Sequence, residues 1–537
     1  MLRLSFVHPM NTKQLLIEIE MTKAQSVKRG IHSLALLSAL VLAGCSSTDP
    51  NLDLPSPAQT AGSPTQEIKQ VYKTSAQNGP EVLISAADNN GSYNNMRRTL
   101  ARSNLPEKES IQLSEWVNFF PYDYPQPQGR IPFAANGEIA VTPWNPNTRL
   151  VRVAIKADDA QTSAERRAAN LVVLVGAEGA DLELIKSSLT HLVNQLTPQD
   201  TLTLMSASGD KGVLLEPTTG DHKDKMLSAI SSLNREKTIQ DSSRLTEAYA
   251  LAKDSYIADG INRVILVGNS TYNAGFSTVQ DISDFFANHP ASQISLTTLG
   301  FAASQFTPSP LAEVAYVGNG VHQYIDNVRD SNKVWDEQLS STQIPVAKEF
   351  SMKVEFNPTY IKAYRLLGYQ APSEESSNVT NSGVVVTGQT MTALYEVIPA
   401  GSTEEWSAEQ FASIATPSAN SYLRQTKEIA MMHLRYKTPN ARGTPQRIEL
   451  PVPESQMNNT LDNSSKDFRF AAAVAAFAQQ LKDNGASTGT FTLDDTLKLA
   501  NEGRSDDKYD LRSEFIQLIG NAQNALPKSS PVKGQGE

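Results

Sequence analysis

The chain has 537 residues, 39% hydrophobic and 19% charged, with a formal charge of -10 and one cysteine. A chain of this length should hold more than one domain, since a single core rarely grows past about 250–300 residues. The acidic balance argues against a nucleic-acid partner, which would demand a basic face. With a lone cysteine, an intrachain disulfide is excluded and the fold must rest on core burial.

At the N-terminus, Lys23, Lys28 and Arg29 precede the apolar run Leu34–Leu42, which ends in Leu42-Ala43-Gly44-Cys45 and the polar Ser46-Ser47-Thr48-Asp49. The run is too short to remain as a spanning helix and reads as a cleavable signal over residues 1–44, with Met21 a sensible start. L-A-G-C resembles the lipobox of bacterial lipoproteins. That resemblance implies cleavage before Cys45 and a covalent lipid on it, and Ser46 after the cysteine implies the outer membrane of a Gram-negative cell. Residues 45–78, rich in Ser, Thr, Pro, Gln and Gly, cannot bury enough apolar surface to offset chain entropy and are expected to be a disordered tether.

Residues 81–156 read as a folded N-terminal extension. Ser92–Ser103 has helical spacing, and Leu113–Phe120 is a second helix stopped by Pro121 and the Pro-rich YDYPQPQG. Ile139–Thr142 and Leu150–Ile155 read as strands flanking the turn Pro143–Asn147. Trp116, Phe119, Phe120, Tyr122, Tyr124 and Trp144 are expected in core and interdomain packing rather than around a ligand.

Residues 168–340 alternate strands (Leu171–Val175, Leu202–Ala207, Val264–Val267, Ile294–Leu299) with helices near Leu182–Leu196, Lys223–Leu233, Leu245–Asp259 and Val279–Phe286, and further helices after Pro310 and Asp330. Such alternation predicts a Rossmann-like α/β domain with a parallel-dominated sheet. Five apolar residues in a row, Leu171–Val175, predict a strand buried on both faces, and the turn after it lies where doubly wound sheets bind ligands. Over 345–455, period-two runs at Ser351–Phe356, Ile361–Leu367, Gly383–Val386, Thr392–Val397, Ile429–Tyr436 and Arg447–Pro451 predict an antiparallel β-rich domain, completed by the strands before Leu171. Ser402–Ser421 is polar and helical at best. Residues 465–526 predict C-terminal helices at Asp467–Lys482, Leu493–Ala500 and Leu511–Leu526, and 527–537 a disordered tail.

The runs NLVVLV, KSSLTHLVNQLTPQDTLTLMSASG, LLEPTTGDHKDKMLSAISSL, NRVILVGNSTYNAG and SLTTLGFA together resemble a von Willebrand factor type A domain. More narrowly, Phe119–Pro125, Trp144–Pro146, Lys353–Pro358, Tyr364–Tyr369 and Thr392–Pro399 resemble the flanking segments of bacterial lipoproteins built around that domain. The likeness spans roughly Glu81 to Leu526.

In metal-binding type A domains an Asp-x-Ser-x-Ser turn, a Thr and a later Asp hold Mg²⁺ or Mn²⁺, which needs hard, partly anionic oxygen ligands. By this resemblance the Asp position holds Gly176 and the two Ser positions Glu178 and Ala180. The Thr falls at Ile239 or, with a one-residue slip, Thr238, and the later Asp at Asn269, followed by Ser270. Gly176 and Ala180 offer no side-chain oxygen, so a standard metal site is not expected. A rebuilt site from Glu178, Asp181, Thr238 and Asn269 would suit Ca²⁺ better. The five histidines after the signal (His191, His222, His289, His322, His433) form no H-E-x-x-H, and no Gly-x-Ser-x-Gly or phosphate-cradling motif occurs.

The expectation is therefore a non-enzymatic, lipid-anchored envelope protein with no cofactor beyond the lipid, binding an envelope or extracellular protein and no nucleotide. Its partner-binding face would be Gly176, Glu178, Ala180, Asp181, Thr238, Asn269 and Ser270. The alternatives are a metal-dependent adhesin with a remodelled divalent-cation site and an envelope hydrolase with a site assembled across domains.

Overall fold

The computed structural model describes residues 81–82, 91–128, 131–158, 167–178, 181–208, 212–235, 237–239, 241–269, 272–288, 294–301, 310–318, 320–340, 345–368, 383–407, 414–419, 421–438, 445–453, 457 and 459–526. Cys45, the signal, the tether and the tail lie outside the described residues, as do Ala180, Ser270 and His289.

The α/β domain is a six-stranded sheet whose first strand is central. Strands β4 (Ala169–Val175), β5 (Thr201–Ser206), β6 (Val213–Thr219), β7 (Ile261–Gly268), β8 (Ser295–Phe301) and β9 (Val321–Ile325) lie in the order β6-β5-β4-β7-β8-β9. Pairing is parallel throughout except that β6 runs antiparallel to β5. The order reverses between β4 and β7, the switch point of a doubly wound sheet. All seven residues of β4 are buried. Leu171, Val173 and Val175 enter one core while Val172 and Leu174 enter the other, as an apolar run without alternation requires. Each contributes about 1.5–3 kcal/mol over an exposed position.

Two strands lie outside the sequence expectation, and both break its pattern. β6 carries Pro217, an edge-strand residue, and faces solvent over much of its length. β9 places His322 and Gln323 in the middle of a buried five-residue strand. Helices α3 (Leu182–Gln195), α4 (Lys223–Ser231), α5 (Ser243–Asp254), α6 (Val279–Asn288), α7 (Pro310–Val317) and α8 (Val328–Ser340) complete the domain.

The remaining elements make three layers. One antiparallel sheet contains β1 (Glu81–Val82), β10 (Pro345–Phe356), β15 (Glu428–Lys437) and β16 (Gln446–Pro453), with β12 (Gly383–Val386) also on β10. A second contains β14 (Ile414–Ala415), β11 (Ile361–Leu366), β13 (Thr390–Pro399), β3 (Asn145–Ala157) and β2 (Phe133–Thr142). Helices α1 (Gly91–Ala101), α2 (Leu113–Asn118), α9 (Lys466–Asp483), α10 (Leu493–Gly503) and α11 (Leu511–Ala525) cover its other face. Strand β3 shows the arrangement: Val151, Val153 and Ile155 pack between the sheets, Leu150 and Ala154 under the helices. The N-terminal extension thus shares both of its cores with the C-terminal half.

Details differ from expectation at two places. β2 and β3 are joined by a two-residue connection, Thr142 pairing with Asn145, so Asn145–Asn147 belong to the strand and not to the turn. The described part of Ser402–Ser421 carries no helix; Ile414–Ala415 instead pairs with β11. Among the described residues, no helix is long and apolar enough to cross a membrane.

Candidate functional site at the switch-point crevice

The carboxyl ends of β4 and β7 meet where the strand order reverses, and the loops there extend the sheet by one rung. The Gly176 amide donates to the Val267 carbonyl at 2.8 Å, the Ala207 amide to Val175 at 2.8 Å, and the Ile239 amide to Ala207 at 2.7 Å. This brings Gly176, Glu178, Thr238 and Asn269 together. Thr238, rather than Ile239, supplies the hydroxyl: its Oγ1 lies 3.4 Å from the Glu178 amide and 3.3 Å from Ser208 Oγ.

These residues bind one another. The Thr238 amide donates to Glu178 Oε2 at 2.8 Å, and Asn269 Nδ2 donates to the Glu178 carbonyl at 2.7 Å. Asn269 Oδ1 accepts from the Tyr272 amide at 3.1 Å. Thr238 and Asn269 are buried while Glu178 is exposed at the rim. Asp181 is exposed and caps α3, its Oδ1 accepting from the Leu184 amide at 3.1 Å.

Tyr272 is the residue that sequence reading missed. A Cβ on Gly176 would stand 2.9 Å from its ring, and one on Gly268 only 2.6 Å. Two glycines at adjacent strand ends therefore make room for a buried aromatic ring. Burial raises its phenol well above the ordinary value, and its hydroxyl has no hydrogen-bond partner among the described residues. The legible signal was the paired glycines with an aromatic shortly after the second.

This donor set does not fit the divalent ion of metal-binding type A domains. Among the four residues brought together, Glu178 alone is a carboxylate and its Oε2 is engaged; the slot of the leading Asp is filled by the Tyr272 ring.

Among the described residues, hydrolytic geometry does not gather either. Ser206 Oγ closes a turn with Ser208, accepting from its amide at 3.0 Å and donating to its carbonyl at 3.1 Å. His222 Nδ1 lies 3.0 Å from both Thr219 Oγ1 and Asp221 Oδ1, so one nitrogen serves both partners and no relay through the ring forms. His322 Nδ1 is 2.7 Å from Thr298 Oγ1, but burial removes the pair from solvent and lowers the imidazole to about 3.

Over 468 residues the chain is 31% identical to "Uncharacterized protein YfbK" of Escherichia coli (strain K12), covering 84% of this chain and 79% of that protein. The chain belongs to the YfbK family. A family model described as "Uncharacterized protein YfbK, C-terminal" matches residues 341–525, from β10 to α11. A second, described as "von Willebrand factor", matches residues 64–152, so its description falls on the segment before the α/β domain. The two matches flank that domain, which the strand order and the sequence runs identify as type A. Similar solved structures include a von Willebrand factor type A protein from Catenulispora acidiphila, 14% identical, covering 69% of this chain and 86% of that one with a TM-score of 0.34. The ArnB paralog VWA2 from Sulfolobus acidocaldarius is 11% identical, covering 74% and 98% with a TM-score of 0.31.

Flanking segments singled out in the sequence meet in two buried clusters. Trp144 Nε1 and Thr148 Oγ1 donate to the buried Glu396 at 3.3 and 2.8 Å, and Arg365 Nη2 donates to it at 2.5 Å. Tyr122 and Tyr124 stack at 5.3 Å, with the Arg512 guanidinium 5.5 Å from the first ring and Arg152 4.9 Å from the second.

Proposed function

We propose that this YfbK-family chain is a non-enzymatic, lipid-anchored protein of the cell envelope that engages a protein partner through the switch-point crevice of its type A domain without a metal ion. The observation that carries the reading is the closed set of hydrogen bonds among Glu178, Thr238 and Asn269, with the Tyr272 ring seated on Gly176 and Gly268. A rim whose oxygens are tied to one another favours recognition by shape and by the exposed charges of Glu178 and Asp181. The L-A-G-C run ending at Cys45 supports anchoring, and Ser46 supports the outer membrane.

Isothermal titration of residues 46–537 with Mg²⁺, Mn²⁺ and Ca²⁺ tests metal independence: no saturable submillimolar binding is expected. Saturable binding that disappears in Glu178→Ala would establish the remodelled-cation reading instead. Crosslinking pull-down from native envelopes, with and without Glu178→Ala, Asp181→Ala and Asn269→Ala together, tests the face: the variant should lose partners. If both forms recover the same partners, recognition belongs to the flanking layers.

A further inference from the structure

The type A domain is inserted into the flanking layers, with two connections rooted side by side. The chain leaves at the end of β3, where the Ala157 amide donates to the Gln389 carbonyl at 2.8 Å and the Gly388 amide to Asp158 at 3.1 Å. It returns at Pro345, opposite Val386. Both roots therefore sit on the single turn between β12 and β13.

Beyond those roots the contacts across the junction are made by charged side chains, including Lys333, whose Nζ lies 5.7 Å from the Phe119 ring. No buried apolar cluster of the described residues combines side chains from the type A domain with side chains of the flanking layers. Instead Arg97 of α1 forms a bidentate pair with Asp330 in the first turn of α8, at 2.7 and 3.0 Å, with side-chain exposures of 7% and 2%. Arg97 Nε also lies 3.3 Å from Glu514 of α11, and Arg98 3.4 Å from Asp326. Two turns further along α8, Asp336 Oδ2 accepts from Lys508 at 2.9 Å and Tyr509 at 3.2 Å. The other oxygen of Asp336 accepts from Gln195 at 2.6 Å and lies 3.2 Å from His191 Nε2. One carboxylate thus ties the helical layer to α3, whose cap, Asp181, stands at the crevice.

We infer that the type A domain is a hinged module, held against the helical layer by the Arg97–Asp330 and Lys508–Asp336 latch and released from it when the latch opens. An apolar seam between domains resists opening, whereas small polar junctions within a chain behave like transient interfaces. Removing Asp330 takes from the buried Arg97 its bidentate partner and leaves it Glu514 alone in the docked state, and swinging into water relieves the loss. The latch stands independently of whether the crevice binds a partner.

Electron–electron distance measurement on the full chain carrying Cys45→Ser, which leaves no native thiol, tests this with spin labels at Ser187→Cys, one turn from His191 on α3, and Glu502→Cys, six residues before Lys508, both exposed. The parent should give one short distance. Asp330→Asn with Asp336→Asn should raise the ratio of long to short distances roughly a hundredfold or more. Arg97→Asp combined with Asp330→Arg and with Glu514→Gln, which removes the carboxylate beside position 97, should restore the short distance, as a merely unfolded variant would not. Raising NaCl from about 0.05 to 1 M should lengthen part of the parent distribution by screening the exposed Lys508–Asp336 pair. A distribution unchanged by salt, or unchanged in a folded double variant, overturns the hinge.

Discussion

Two regions of this chain set polar residues against its sheets, and they solve burial in opposite ways. At the Trp144–Arg365–Glu396 junction, full charges are buried and matched: Arg365 is 6% exposed and Glu396 1% exposed. At the crevice, the position where type A domains that bind metal carry a charge holds Gly176, and its space holds an aromatic ring. The first region exchanges solvent for partners, and the second exchanges a charge for packing. Residues that make a family recognisable in sequence can therefore mark a structural junction, while the region facing the solvent departs from the fold's usual chemistry.

The comparison breaks first at Glu396. Glu396→Ala leaves the buried Arg365 guanidinium without the carboxylate that accepts from its Nε at 3.1 Å and its Nη2 at 2.5 Å. Stripping one side of a buried pair costs about 3–5 kcal/mol, while replacing both sides by apolar residues of similar size is near neutral. Urea unfolding should show that large loss for Glu396→Ala, and most of it should return in Glu396→Leu with Arg365→Met. A loss under about 1 kcal/mol in the single variant would mean that the junction is not a matched pair in energetic terms.

The crevice half is tested by restoring what it lacks. Gly176→Asp places a Cβ 2.9 Å from the Tyr272 ring, and overpacking of this kind costs about 1–3 kcal/mol. Thermal unfolding should fall for Gly176→Asp and recover in part when Tyr272→Ala is added, because the smaller side chain vacates the slot. A single variant that melts with the parent would show that the glycine is not there to seat the ring.

How much of this was legible depended on the range of the contact. Leu171–Val175 announced a central strand because a run of apolar residues has one comfortable place in an α/β sheet, and the helices followed from their period. β9 stayed hidden because His322 and Gln323 interrupt its pattern, and their burial depends on α7 and the neighbouring β8. The loops that meet at the crevice were named from the sequence, but the Glu178–Thr238 and Glu178–Asn269 bonds join residues 60 and 91 positions apart, which no local pattern encodes. The substitution of Asp by Gly was visible as a loss; only the position of Tyr272 shows it as a fit.

Acid should separate the two regions by a smaller amount. His322 lies in the type A domain between Thr298 and Tyr324, with its Nε2 unpartnered among the described residues. Burial holds its folded value at about 3, below the 6.5 of the exposed imidazole. Between those values the unfolded chain binds a proton that the folded chain refuses, so stability rises with pH there and falls as the solution is acidified below about 6.5. The slope from this one group approaches about 1.4 kcal/mol per pH unit once the unfolded imidazole is charged. Comparing parent with His322→Gln between about pH 6.5 and 5 should therefore narrow any stability gap by about 1–2 kcal/mol, because only the parent carries this slope. Since the Trp144–Arg365–Glu396 junction contains no histidine, the difference should appear in the unfolding of the type A domain and leave the transition of the flanking layers where it was. Parallel pH profiles for the two proteins would mean that His322 is protonated as readily in the fold as outside it.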